Sequence, residues 1–209
     1  MLNCKDVAKW FIYKNPKLAC GHFDENAIVN KLLYLSSLMY YSISGKSLLD
    51  EDFVAFPHGP VVYEVYRDYR YNGLDEYPQS ISLDNATDDE IRVIETTNFI
   101  FSDMSAKDLI SLTHRHNLWK DVKGFIPNNP VIDFGNASPE LLESFATLYD
   151  TYLGFDFSVI KKEIINGTAF YYNSNNLEMT DEIIEEILEL GDFSESQFIE
   201  MIDGELVFS

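Results

Sequence analysis

Apolar residues recur at spacings of three and four along much of this 209-residue chain, the signature of helices that bury one face. In residues 3–14, Val7, Trp10 and Phe11 share a side, Asn3 is a candidate N-cap and Pro16 stops the pattern. The stretch "AIVNKLLYLSSLMYYSI" places Ile28, Leu32, Leu35, Met39 and Ile43 in register for a buried helix. Phe53 to Phe56, "FVAF", is short, apolar and bounded by turn residues, as a minor strand would be. Beyond it, Val62, Val65, Tyr66 and Tyr69 repeat the helical spacing. Pro60 suits the first position of that helix, where its missing N–H costs nothing, and Gly59 can cap it.

Further starts carry a hydroxyl residue followed three positions later by an acid or amide, the capping-box pattern. They are Thr87 with Glu90, Ser105 with Asp108, and Ser194 with Gln197 ahead of "FIEMI". Ser138-Pro139 opens a segment striped by Leu141, Phe145, Leu148 and Tyr152, and Thr180 precedes "DEIIEEILEL", closed by Gly191. Residues 166–176 fit a loop or a short hairpin. The expected fold is therefore mainly α, a compact helical domain with at most a minor short β element, plus a helical acidic C-terminal extension. Turn-rich "NNPVIDFGNAS" sets the expected boundary, with a helical domain over 1–127 and the extension over 128–209.

Charge sharpens that division. The net charge is −20, and residues 1–126 hold 13 Lys/Arg against 18 Asp/Glu whereas residues 127–209 hold 2 against 17. A polyanionic surface repels nucleic-acid backbones and anionic lipids and steers basic partners toward it. Direct nucleic-acid binding is thus not expected. Cys4 and Cys20 stand sixteen positions apart without a metal-like partner spacing, so neither a disulfide framework nor a zinc finger is predicted, and a cytoplasmic location fits. "LLYLSSLMYYSI" falls short of the roughly 20 apolar residues a membrane span needs.

The candidate chemistry is thin. The chain has four histidines, His22, His58, His114 and His116. In a helix the last two point about 200° apart, a poor bidentate metal set. No G-x-S-x-G or H-E-x-x-H pattern occurs, and "SGKS" lacks the first glycine of a phosphate loop. No catalytic residues, metal or cofactor are therefore expected. The clusters "YEVYRDYRY" and "FYYN", with Trp119, suit core or boundary positions, yet tyrosine and tryptophan also dominate interface hot spots.

Taken in order, "KLLYLSSLMYY", "GKSLLDEDFVAFPHGPVVYEVY" and "LISLTHRHNLWKDV" resemble the successive signatures of the Panacea domain, the SocA-like family that includes phage-associated GepA proteins. The resemblance covers roughly residues 4–125. Gly45, Lys46, Leu48, Asp50, Asp52, Phe53, Phe56, His58, Gly59, Pro60 and Val61 take the places of the second block, and Leu109, Ile110, Ser111, Leu112, Thr113, His114, Trp119 and Lys120 those of the third. Lys31, Leu32, Leu33 and Tyr34 keep the first, without its preceding lysine and its glutamine. Pro57 replaces a basic residue before His58, and Asn117-Leu118 replaces an acid-x-Pro approach to Trp119.

The resemblance implies a non-enzymatic, mainly helical antitoxin that neutralises a cognate toxin by direct contact. It also implies an adaptor role toward a host protease in some relatives. Composition adds that such a toxin would carry a basic surface. The candidate partner-contact residues are His58, Gly59, Pro60, Tyr63, Tyr66, Thr113, His114, Trp119 and Lys120. Two other classes remain open: an acidic phage-derived inhibitor or DNA mimic that binds a host nucleic-acid enzyme, and an enzyme built on His58 or His114.

Overall fold

The computed structural model describes residues 1–123, 128–191, 193 and 195–209. They divide into two compact units, Met1–Leu153 and Gly154–Ser209. That division falls C-terminal to the boundary expected at 127/128, where Pro127 lies outside the described residues.

In the first unit everything is arranged around α2 (Phe23–Ser44), whose residues from Asn26 through Met39 are all buried. A helix apolar on nearly every side can only be stable with neighbours all around it. Those neighbours are α1 (Cys4–Lys14), α3 (Tyr63–Tyr71), α4 (Asp88–Phe101), α5 (Ala106–Arg115) and α7 (Pro139–Tyr152), with strand β2 (Gly59–Val62). The short α6 (Asn117–Lys120) follows α5. Local chemistry explains most of the helix ends. Asn3 caps α1 by accepting from the Lys5 and Asp6 amides at 3.0 and 3.3 Å. Thr87 and Glu90 complete a reciprocal capping box on α4, Ser105 caps α5 and Ser138 caps α7. Gly45, at φ +65°, ends α2 in the left-handed region.

A small antiparallel sheet, β2-β1-β3, joins β1 (Phe53–Phe56), β2 and β3 (Val131–Ile132). The helix expected to begin at Pro60 instead begins at Tyr63, because Gly59–Val62 is a wholly buried strand. Tertiary partners override the helical spacing there: β1 pairs with the segment in register from Phe53↔Val62 to Phe56↔Gly59, and an α2 side chain takes up the Val62 amide.

The second unit overturns the expectation of a helical extension. Its sheet has the order β4-β5-β6-β7, built from β4 (Ile160–Ile165), β5 (Thr168–Asn173), β6 (Gln197–Ile202) and β7 (Glu205–Phe208). Strands β5 and β6 are parallel, and α8 (Asp181–Leu190) lies between them in the chain. Two tight turns close the hairpins, Asn166-Gly167 at φ 48° and 83° and Asp203-Gly204 at φ 53° and 84°. Positive φ at both positions is the twist-matched type I′ geometry, for which Asn-Gly and Asp-Gly are the favoured pairs. Phe170, Tyr172, Ile187 and Ile199 form the centre of this unit's core. Ser194 lies outside the described residues, and Gln197 onward is strand rather than helix.

About 50% of the described residues are helix and 17% strand, with a four-stranded mixed sheet and a three-stranded sheet, so the fold is not mainly α. No described helix is long and apolar enough to cross a membrane.

Candidate functional site

The β1–β2 hairpin is held on α2 by a polar stripe inside an otherwise apolar helix. Asn26 and Asn30 lie one turn apart. Asn30 Oδ1 accepts the Val62 amide at 3.0 Å, while its Nδ2 donates to Asn26 Oδ1 at 2.8 Å and to the Asn26 carbonyl at 3.0 Å. Asn26 Nδ2 in turn donates to the Tyr66 carbonyl at 3.0 Å. The relay satisfies the buried Val62 amide, a group that costs about 1–3 kcal/mol if left unpaired.

The next residue along, Lys31, is 1% exposed and donates from Nζ to the Pro60 carbonyl at 3.0 Å. No salt bridge to it occurs among the described residues. Burial without a counter-charge disfavours the ammonium and lowers its pKa to about 7. Gly59 makes this approach possible. Its φ is +95°, and a Cβ there would stand 2.8 Å from Lys31 Cε and 2.9 Å from Thr113 Oγ1.

From the other side, Trp119 Nε1 donates to the Phe56 carbonyl at 3.0 Å. The Trp119 ring lies flat on His114, with centroids 3.7 Å apart and planes 11° from parallel. His114 Nε2 is secluded and has no hydrogen-bond partner. Burial, with Lys31 and His58 nearby, lowers the His114 pKa. His116, two residues on, faces another environment altogether: its Nδ1 lies 3.2 Å from Tyr34 Oη in the core. His116 is not part of α5 but its extended C-cap, at φ −68° and ψ 136°, so the helical separation expected between the two rings does not apply.

His116 supplies a pH test. Burial first, and Arg115 second, lower its pKa from 6.5 to about 4. The native ring stays neutral between those values while the unfolded chain takes up a proton, so stability falls as pH drops from 6.5 to 4. The loss should reach roughly 3 kcal/mol at pH 4. Urea unfolding of His116→Gln at pH 7 and pH 4.5 is expected to lose correspondingly less stability than the parent over the same interval.

The nine residues singled out from sequence thus separate by depth. Gly59, Pro60 and Thr113 are buried supports, and His114 and Trp119 are half-buried braces. His58 and Tyr63 are exposed at and beside the hairpin tip, Tyr66 is half-buried, and Lys120 is exposed at the end of α6. Around the tip the aromatic rings form a connected surface. Phe23 meets His58 edge-on at 5.2 Å, and Phe56 meets Tyr66 at 5.3 Å and Tyr63 at 6.3 Å. Arg70 donates to Tyr66 Oη at 3.2 Å. A cleft of about 160 Å³ opens there, lined by Gly21, His22, Phe23, Asn26, Tyr66 and Arg70. Sequence reasoning missed Asn26 and Asn30; polar residues one helical turn apart in an apolar helix were the available signal.

The arrangement is a helical domain that presents a hairpin tip bordered by aromatic side chains. Residues 29–120 match the family model of the antitoxin SocA-like, Panacea domain. The match supports a non-catalytic role. No curated protein and no solved structure gives a significant match to the chain.

Proposed function

We propose that this protein is an antitoxin that neutralises a cognate toxin by direct contact through the hairpin tip and the outer face of α3. The Panacea domain carries the proposal. Supporting it, Phe23 and Tyr63 remain 50% and 51% exposed on a surface whose backbone is tied down from beneath. Exposed aromatics on a rigid support bind with little loss of conformational freedom. The net charge of −20 favours a toxin with a basic surface and accelerates capture at low salt. The acidic C-terminal unit serves in this reading as an accessory that extends the attracting field. The compartment proposed is the cytoplasm, where free Cys4 and Cys20 stay reduced. An adaptor role in proteolysis would add toxin degradation to toxin masking.

The test is co-expression with the product of the neighbouring reading frame. Growth should be restored and the two proteins should co-purify; a toxic neighbour that this protein neither rescues nor binds sinks the proposal. The combined variant His58→Ala, Tyr63→Ala is expected to weaken toxin binding by about tenfold or more. Because both side chains lie on the surface, its melting temperature should stay close to that of the parent. Unchanged affinity would move the interface elsewhere.

A further inference from the structure

The turn leading into α2 brings together three metal-ligating side chains of different chemistry. Cys20, His22 and Glu25 offer one sulfur, one imidazole nitrogen and one carboxylate oxygen, all within 4.8 Å of one another. Gly21 makes the convergence possible. At φ +70° it turns the chain so that its two neighbours flank a common space, and a Cβ at this position would meet Asp75 Oδ2 at 2.7 Å. A second carboxylate therefore lies against the same turn.

Two observations single the cluster out. Glu25 Oε2 is secluded from solvent and has no hydrogen-bond partner among the described residues, while the same carboxylate interacts with the Cys20 thiol beside it. His22 occupies the N-cap position of α2, but its side chain makes no capping bond and leaves the imidazole available. Arg70, the cation lining the adjoining cleft, is engaged with Tyr66 Oη and does not neutralise the cluster.

We propose that Cys20, His22 and Glu25 form a binding site for one divalent transition-metal ion of the Zn²⁺ type, with water in the fourth position. A sulfur, nitrogen and oxygen donor set of this kind selects zinc-like ions over Mg²⁺ or Ca²⁺, which prefer all-oxygen ligands. Bond lengths of about 2.3 Å to sulfur and 2.0 Å to nitrogen set tetrahedral edges of about 3.5 Å, so the donors need to draw in by roughly an ångström. Cys20 and His22 are exposed and can make that adjustment by side-chain rotation. Without metal, burial and the neighbouring Glu25 keep the thiol protonated. Binding forms the metal–sulfur bond, breaks the S–H bond and releases the proton to solvent, leaving two anionic ligands to balance the dication. The ion would pin the first turn of α2, including Phe23, whose ring rests on His58. The inference does not depend on the antitoxin reading.

Titrating the full-length reduced protein with Co²⁺ provides the test. One equivalent should bind and produce a thiolate-to-cobalt charge-transfer band, which Zn²⁺ then displaces. Cys20→Ser should lose the band and Cys4→Ser should keep it. His22→Ala and Glu25→Gln should each weaken Co²⁺ binding by at least about tenfold. Circular dichroism of the metal-free variants should match the parent, which separates loss of ligands from loss of fold. Absence of the band in the parent, or its survival in folded Cys20→Ser, overturns the proposal.

Discussion

Gly59→Ala is expected to lower the unfolding free energy by about 3 kcal/mol or more, through backbone strain and steric crowding acting together. At φ +95° the position lies where an L side chain is strained, a term of about 1–3 kcal/mol by itself. The new methyl would also press on Lys31 Cε at 2.8 Å and Thr113 Oγ1 at 2.9 Å. Neither can swing aside: both residues are buried, and the lysine is held by the Pro60 carbonyl. Relief must come from displacing the hairpin, which breaks the Phe56↔Gly59 register and pulls Phe56 away from Trp119. Gly45→Ala is the control, since φ there is +65° with nothing within 4 Å of the added Cβ. It should cost only the strain component. Equal losses in the two variants, measured by denaturant unfolding, would mean that the close approach at Gly59 contributes nothing.

Lys31→Met is expected to remove a pH dependence that the parent carries. The native lysine titrates at about 7 because burial disfavours its charge, whereas the unfolded chain titrates near 10.5. Between those values the unfolded state holds a proton that the native state does not, so stability rises with pH across the interval. The slope approaches about 1.4 kcal/mol per pH unit, or roughly 2 kcal/mol between pH 7 and 9. Above pH 9 the effect is opposed by Cys4, whose thiol burial pushes up to about 12, so that the unfolded chain loses its proton first. The interval from pH 7 to 9 is therefore the informative one. Lys31→Met should show a nearly flat profile there. A variant that keeps the parent's slope would show that the native lysine retains its proton in this range.

How far the chain could be interpreted before its structure was known depended on where the deciding forces act. The ends of α1, α4, α5, α7 and α8 follow from caps such as Asn3, Thr87, Ser105, Ser138 and Thr180, because a cap bonds backbone amides within its own first turn. The central helix α2 was legible from its apolar length. The Asn166-Gly167 hairpin was half legible, and Asp203-Gly204 carries the same signal. Segments Gly59–Val62 and Gln197–Ile202 went wrong for one reason: a short apolar run fits helix and strand periods alike, and distant chain segments choose between them.

The candidate site divides in the same way. Ordered motifs in the sequence pointed to the Panacea domain and to the hairpin around His58, and they separated buried from exposed residues not at all. Only the fold places Lys31 beneath Gly59, stacks His114 on Trp119 and carries Asn30 to the Val62 amide. The spacing of Cys20 from Cys4 carries no metal signal, and the approach of Cys20, His22 and Glu25 comes only from the turn at Gly21.

The sequence alone determined the local and cumulative properties of this protein: helix starts, the buried central helix, the net charge of −20 and its concentration after residue 126, and a motif order specific enough to indicate the family. Tertiary structure decided the state of the short apolar runs, the sheet of the second unit, and the depth at which each motif residue sits. Those outcomes rest on pairing and burial between residues far apart in the chain. No window of neighbouring residues contains that information.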